Sequence, residues 1–303
     1  TGSGRVHQLK VYRLPDLGRT AVGRAAVNLI PGFPEDDTIQ AVIPVRAFEE
    51  GTLLFTTAKG TVKRTPLWDY RRPKSGGIIA IALDDDDRLI DVSVCDDESH
   101  LVIGTRAGKA IRFRAGDVRR MGRPARGVRG IKLLDDDRVC GAAVVREGFD
   151  LLTVCENGYG KRTAFTEYPT RGRGGQGVIN IRATKRNGPV VTILAVADED
   201  DMITITVGGQ VVRSPVGQVS LVGRATQGVR LVSLRKDDVV ASVARVAPDD
   251  GEDDDEAADG AEGEATPAAA EGQGTPAGDA PAEGSDADDA PSDGEDGPED
   301  GDA

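Results

Sequence analysis

Asn157-Gly158-Tyr159-Gly160-Lys161-Arg162-Thr163-Ala164-Phe165-Thr166-Glu167-Tyr168-Pro169-Thr170-Arg171-Gly172-Arg173-Gly174-Gly175-Gln176-Gly177-Val178-Ile179-Asn180-Ile181-Arg182 is the stretch whose reading decides the fold. Asn157-Gly158 suits a tight hairpin turn, because both residue types tolerate positive φ. A short basic strand follows, then the Arg/Gly loop Arg171–Gly177, then an alternating strand from Val178 to Arg182. This order of turn, basic strand, loop and strand occurs five times along the chain.

The glycine that opens the basic strand recurs at Gly4, Gly60, Gly108, Gly158 and Gly209, at spacings of 56, 48, 50 and 51. A second glycine follows at Gly23, Gly77, Gly127, Gly177 and Gly228, offset by 19, 17, 19, 19 and 19. Between the two lies a basic loop, and after the second an alternating run such as Val128-Arg129-Gly130-Ile131. A turn comes next, acidic at Glu35–Asp37, Asp84–Asp87, Asp135–Asp137 and Asp237-Asp238, but not at Arg186-Asn187-Gly188. Two further apolar runs complete each unit. Period-2 alternation and β-branched residues dominate, which excludes a helical repeat. Units of about four short strands, at a period of roughly 40–50 residues, are the signature of propeller-like blades. The expectation is all-β: a closed disc over residues 1–247, with blades near 5–60, 61–108, 109–158, 159–209 and 210–247.

The formal net charge of −13 over 303 residues averages two unlike parts. Residues 249–303 hold 22 acids and no base, so the remainder carries 29 acids against 38 bases, a net of +9. From 248 to 303 the chain is Ala, Gly, Pro and acid without aromatics, too polar to bury a core, and a disordered acidic tail is expected. Cys95, Cys140 and Cys155 form no CxxC pair and sit in apolar runs, which reads as buried core thiols. No apolar run reaches the ~18 residues of a membrane helix, and no secretory signal opens the chain; a cytoplasmic location is expected. Thr1-Gly2-Ser3-Gly4 reads as the end of a hairpin whose first strand lies upstream, as in an N-terminally truncated segment.

Several chemistries are set aside. Gly172-Arg173-Gly174-Gly175-Gln176-Gly177 matches G-x-G-x-x-G, but a dinucleotide site needs a helix to begin there, and a β-type run follows. Lys161 completes no phosphate-binding P-loop. His7 and His100 are too few for a histidine-rich metal site, and consecutive aspartates lack the alternating ligand pattern of a calcium loop. No nucleophile–base pair stands out, so neither catalytic nor metal-ligating residues are assigned.

The basic loops are the remaining signal. Equivalent loops on equivalent blades form a belt, with Lys63, Arg64, Arg71, Arg72, Lys74, Arg112, Arg114, Arg119, Arg120, Arg123, Arg126, Lys161, Arg162, Arg171, Arg173, Arg213 and Arg224 as candidate members. Such a belt is the electrostatic footprint of nucleic acid, and its glycines let a phosphate backbone approach. Few aromatics are available for stacking, which favours duplex over single strands. Contact along a curved rim selects bent DNA and readout by deformability.

Gly158-Tyr159-Gly160-Lys161-Arg162-Thr163, Glu167-Tyr168-Pro169-Thr170, Val222-Gly223-Arg224 with Thr226-Gln227-Gly228-Val229, and Met121-Gly122 with Gly127-Val128-Arg129-Gly130-Ile131 resemble the C-terminal domain of the DNA gyrase A protein. The resemblance spans residues 4–247. It implies a six-bladed β-pinwheel that exchanges strands between neighbours and wraps duplex DNA, so that the holoenzyme introduces negative supercoils. It further implies, as partners in an A2B2 heterotetramer, the rest of the gyrase A protein and the gyrase B protein, with Mg2+ and ATP needed only by that holoenzyme. The sequence departs in holding five repeats and in lacking the Q-R-R-G-G-[KR]-G box of the first; Arg171–Gly177 resembles a degenerate copy. The equivalent domain of topoisomerase IV and, less closely, a protein-interaction propeller are the alternatives.

Overall fold

Why these residues form strands follows from what covers them. In Thr52–Thr57 every side chain is buried, Leu53 and Phe55 on one face and Leu54 on the other. Successive strand residues face opposite ways, so such a run needs a neighbour on both sides. The computed structural model describes residues 1–17, 21–74 and 76–248. The described strands are β1 (Arg5–Val6), β2 (Thr52–Thr57), β3 (Thr61–Pro66), β4 (Ile78–Ile79), β5 (Leu89–Cys95), β6 (His100–Thr105), β7 (Lys109–Arg114), β8 (Val128–Arg129) and β9 (Val139–Val144). They continue as β10 (Asp150–Cys155), β11 (Tyr159–Ala164), β12 (Val178–Ile179), β13 (Val190–Val196), β14 (Asp201–Thr206), β15 (Val211–Pro215), β16 (Val229–Arg230) and β17 (Val240–Val246). Among the described residues no helix is long and apolar enough to cross a membrane.

The sheets are antiparallel, in the orders β5-β2-β3-β8, β9-β6-β7-β12 and β13-β10-β11-β16, followed by the three-stranded β17-β14-β15 and the pair β1-β4. The second, third and fourth repeats therefore each supply three strands to their own blade, and the fourth crosses over from the next repeat. The first repeat, expected as a four-strand unit, contributes only β1 among the described residues, and the blade of the fifth has three strands with no crossover. Gly108 and Gly177 show what the two recurrent glycines do. A Cβ on Gly108, at φ +82°, would lie 2.3 Å from the Ile181 carbonyl oxygen, and one on Gly177, at φ +72°, 2.3 Å from that of Ala110. The two glycines bracket one exchanged strand, β12 on β7, and a side chain at either would push it off.

This corrects two expectations. The proposed blade boundaries at residues 60, 108, 158 and 209 fall inside hairpins, because the first glycine closes the turn between two strands of one blade. At the quoted stretch the Gly158 N–H donates to the Cys155 carbonyl at 3.1 Å, and of Asn157 and Gly158 only the glycine has positive φ. The turn is a three-residue one with a left-handed last residue, not a two-residue mirror-image turn.

The core lies between blades. One cluster joins Leu54 and Val62 to Leu101, Ile103, Ile111 and Phe113; a second joins Val102 and Ala110 to Leu151, Phe165 and Tyr168; a third joins Leu152 and Val154 to Met202, Val216 and Val219. A fourth packs Val6 and Ile43 of the first repeat against Leu53 and Phe55 of the second. Closure of the disc has no counterpart cluster between fifth and first repeats among the described residues. There β15 carries no exchanged strand, Val211 is exposed, and space around Gly209 is open where its equivalents meet a neighbour.

Candidate nucleic-acid interface

The basic hairpin strands come first, because they depart most from the surface belt. Lys63 and Lys161 are fully buried, and Arg64 and Arg162 nearly so. A strand covered on both faces offers no solvent side, so these bases bond to protein groups, mostly of the neighbouring repeat. Lys161 Nζ donates to the Gly223 and Arg224 carbonyls at 2.7 Å each; Lys63 Nζ donates to those of Ala80 and Arg123, 5.2 Å from the Phe55 ring centroid. Burial, which disfavours the charged amine, brings both lysines down to about 8.

The following base is a staple. Arg64 donates to Asp97 at 2.5 Å, whose carboxyl that hydrogen bond holds below its usual range. Arg162 donates to the Val219 carbonyl at 2.9 Å and Asp198 at 2.5 Å, and half-buried Arg112 to the Phe165 carbonyl at 2.8 Å. The backbone of the same residues carries the next repeat's loop: Met121 N–H donates to Arg64 O, Arg171 N–H to Arg112 O and Val222 N–H to Arg162 O, at 2.7–3.0 Å. Lys63, Arg64, Arg112, Lys161 and Arg162 therefore leave the exposed belt and form its underlying frame.

The loops above that frame remain at the surface. Arg72, Lys74, Arg119 and Arg171 are exposed and Arg123 is half-buried; none has an ion pair among the described residues. Arg114, Arg120, Arg126 and Arg213 are surface bases paired with Glu98, Asp97, Asp84 and Asp201. Such exposed pairs contribute roughly 0–1 kcal/mol and yield easily to a competing anion. Arg173 donates to the Asp117 and Arg129 carbonyls at 3.1 Å each, and Arg224 to that of Ile179 at 3.2 Å. Arg71 lies 3.9 Å over the half-exposed Trp68 ring. Loop backbone is stitched too: Gly174 N–H donates to Gly130 O at 2.6 Å and Lys132 N–H to Gly175 O at 2.9 Å. The loop at Gly172–Gly177 leads into β12, so the G-x-G-x-x-G match opens no helix.

Sequence reasoning missed Arg129 and Arg230. Both are exposed, on the exchanged strands β8 and β16, beside the loops. Their signal was the shared Gly-Val-Arg after the second glycine, which alternation alone assigns to an ordinary blade strand. The acidic turns also have a structural use. Asp87 Oδ1 accepts the Lys59 and Arg88 N–H groups, Asp137 Oδ1 those of Ala107 and Arg138, and Asp238 Oδ1 those of Gly208 and Val239, at 2.8–3.0 Å. The last aspartate of each run ties its turn to its own hairpin.

Strand-exchanged antiparallel blades carrying stitched basic loops define a β-pinwheel. The family described as "DNA gyrase C-terminal domain, beta-propeller" matches residues 1–46, 51–96, 99–146, 150–197 and 200–247, one segment per repeat. The chain belongs to the DNA gyrase A C-terminal domain family. It is 46% identical over 258 residues to the DNA gyrase A protein of Salmonella typhimurium, covering 85% of this chain and 29% of that protein. Against its Escherichia coli counterpart the figures are 44% over 262 residues, 86% and 30%. The chain thus spans about a third of the length of these relatives. Two solved structures share the fold at 26% identity. The C-terminal domain of DNA topoisomerase IV gives a TM-score of 0.74 over 81% of this chain and 77% of that one; the DNA gyrase A C-terminal domain gives 0.69 over 81% and 80%.

Proposed function

We propose that this domain binds duplex DNA without sequence preference and bends it along the exposed loops, as the wrapping part of a DNA gyrase A protein. The observation that carries the reading is the recurrence, at one register in successive repeats, of loops whose arginines are free, in exposed ion pairs or resting on backbone carbonyls, while their backbone is fixed from beneath. Fixed loops present charge at regular places without losing side-chain freedom elsewhere, and phosphate neutralisation with counterion release supplies the affinity. In the whole enzyme, the bent segment is passed to the strand-passing parts of the gyrase A and gyrase B proteins, which use ATP and Mg2+ to introduce negative supercoils. The 44–46% identity to gyrase A proteins favours this reading over the topoisomerase IV counterpart.

The test is a duplex labelled at both ends with a fluorescent pair. Energy transfer should rise on adding the domain, equally for unrelated sequences. Binding without a change in end-to-end distance would overturn the wrapping role.

A further inference from the structure

The second to fifth repeats are of two alternating kinds, and the first, with His7, Leu14 and Ala25 at the same positions, belongs to neither. The second and fourth carry Lys63 and Lys161 at one hairpin position, where the third and fifth carry Ile111 and Val212. The same pairs of repeats share Tyr70 and Tyr168 against Val118 and Val219, and Ile79 and Ile179 against Arg129 and Arg230. Each buried lysine serves the loop of the repeat after its own. Of the two carbonyls each holds, one belongs to a loop arginine, Arg123 or Arg224; the other is that of Ala80 in its own repeat for Lys63 and of Gly223 for Lys161. Where Ile111 stands instead, no lysine side chain reaches the following loop among the described residues, and Arg173 reaches back to the Asp117 and Arg129 carbonyls without one. Arg224 likewise reaches back to Ile179, there beside its lysine. Two devices thus fix the loops, and one of them is a titratable amine.

We propose that Lys63 and Lys161 position the loops of the third and fifth repeats for the phosphate backbone, and that duplex binding is coupled to protonation of these two amines. Each amine lies one carbonyl beneath a surface meant for polyanion. A buried charge is screened less than an exposed one, so a phosphate on the loop favours the charged form. A neutral amine still has two N–H donors for its two carbonyls, so losing the proton leaves the loop in place and removes the charge beneath it. The groups facing Lys63 are Asp69, Tyr70, Arg123 and the Phe55 ring; those facing Lys161 are Cys155, Glu167, Tyr168 and Arg224. Burial pushes Cys155 up to about 12 and raises both tyrosines, so near pH 8 the amines are the groups in each cluster that change charge. Arginine stays protonated throughout.

The signs for folding and for binding are opposite. With a folded value of about 8 against the ordinary 10.5, the unfolded chain holds more protons between these limits, so unbound stability rises with pH there. DNA affinity falls over the same window. This inference rests on the DNA-binding reading above, and simple binding at pH 7.5 tests that reading separately. The experiment is titration calorimetry of duplex into the domain at pH 8.5, in two buffers of different ionisation enthalpy, with Kd measured from pH 7.5 to 9.5 at fixed ionic strength. Proton uptake on binding, and a Kd that weakens by up to about tenfold per pH unit per lysine, are expected. The K63M/K161M double variant should bind more weakly at pH 7.5 and take up less; Ile111 shows that the site accepts an aliphatic side chain. Absence of proton uptake at pH 8.5 by the unaltered domain, or equal uptake by the variant, would overturn the coupling.

Discussion

Arg171 and Arg173 sit two positions apart in one loop and meet different surroundings. Arg171 has no side-chain partner among the described residues, whereas Arg173 holds two carbonyls of the preceding repeat. Arg171→Ala should lower the log–log salt slope of duplex binding by about 0.9 with an unchanged melting temperature. Arg173→Ala should lower the slope and also cost about 1–2 kcal/mol of stability, because it leaves two carbonyls to find water. An unchanged slope for Arg171→Ala would remove that residue from the interface. Deeper in, Arg162→Ala should cost about 2–3 kcal/mol in a urea titration, since the buried guanidinium satisfies Val219 O and anchors Asp198. The Lys-Arg dipeptides were visible in the sequence as basic and recurrent. Their burial was not, because that depends on a neighbouring blade covering the outer face of β3 and β11, which no local pattern records.

At the scale of elements, the exchanged strands decide most. They are two residues long, too short to leave a periodic trace, so alternation assigned them to their own repeat. The glycine ladder was legible because, from Gly60 to Gly177 and at Gly4 and Gly228, it is a steric demand placed on single residues. Gly23, counted in the ladder from spacing alone, has open space and no positive φ, and Gly209 keeps only its positive φ. Gly177→Ala should therefore cost about 1–3 kcal/mol, combining positive φ with a Cβ pressed on the Ala110 carbonyl. Gly172→Ala, in the same loop with open space around it, should change little. Equal urea midpoints for the two variants would contradict the bracketing role of Gly177. The inter-blade cores follow ordinary rules: Leu54→Ala, at a fully buried site between second and third blades, should cost about 2–5 kcal/mol.

Across the whole molecule the charge is divided between a basic body and the acids of residues 249–303, which lie outside the described residues. If the expectation of a flexible acidic segment holds, its effective concentration beside the body is on the order of millimolar and it should compete with DNA. Deleting residues 249–303 is expected to tighten duplex binding most at low salt, with the gain shrinking as the Debye length falls towards ~3 Å at 1 M. Equal affinities at low salt would leave the tail a solubiliser. The strand exchange has a mechanical side as well. Smoothly bending 20–30 base pairs by 40–90° stores on the order of 1–6 kcal/mol, and a duplex so held pulls outward on whatever grips it. Each loop here runs into a strand hydrogen-bonded along the hairpin of the repeat before it, so that pull becomes shear across a neighbour's edge instead of peeling of a single blade. The repeats behave as links, each loaded through the next. A grip of that kind yields in steps shared by several blades, and under tension it should let go of DNA before it loses its own shape.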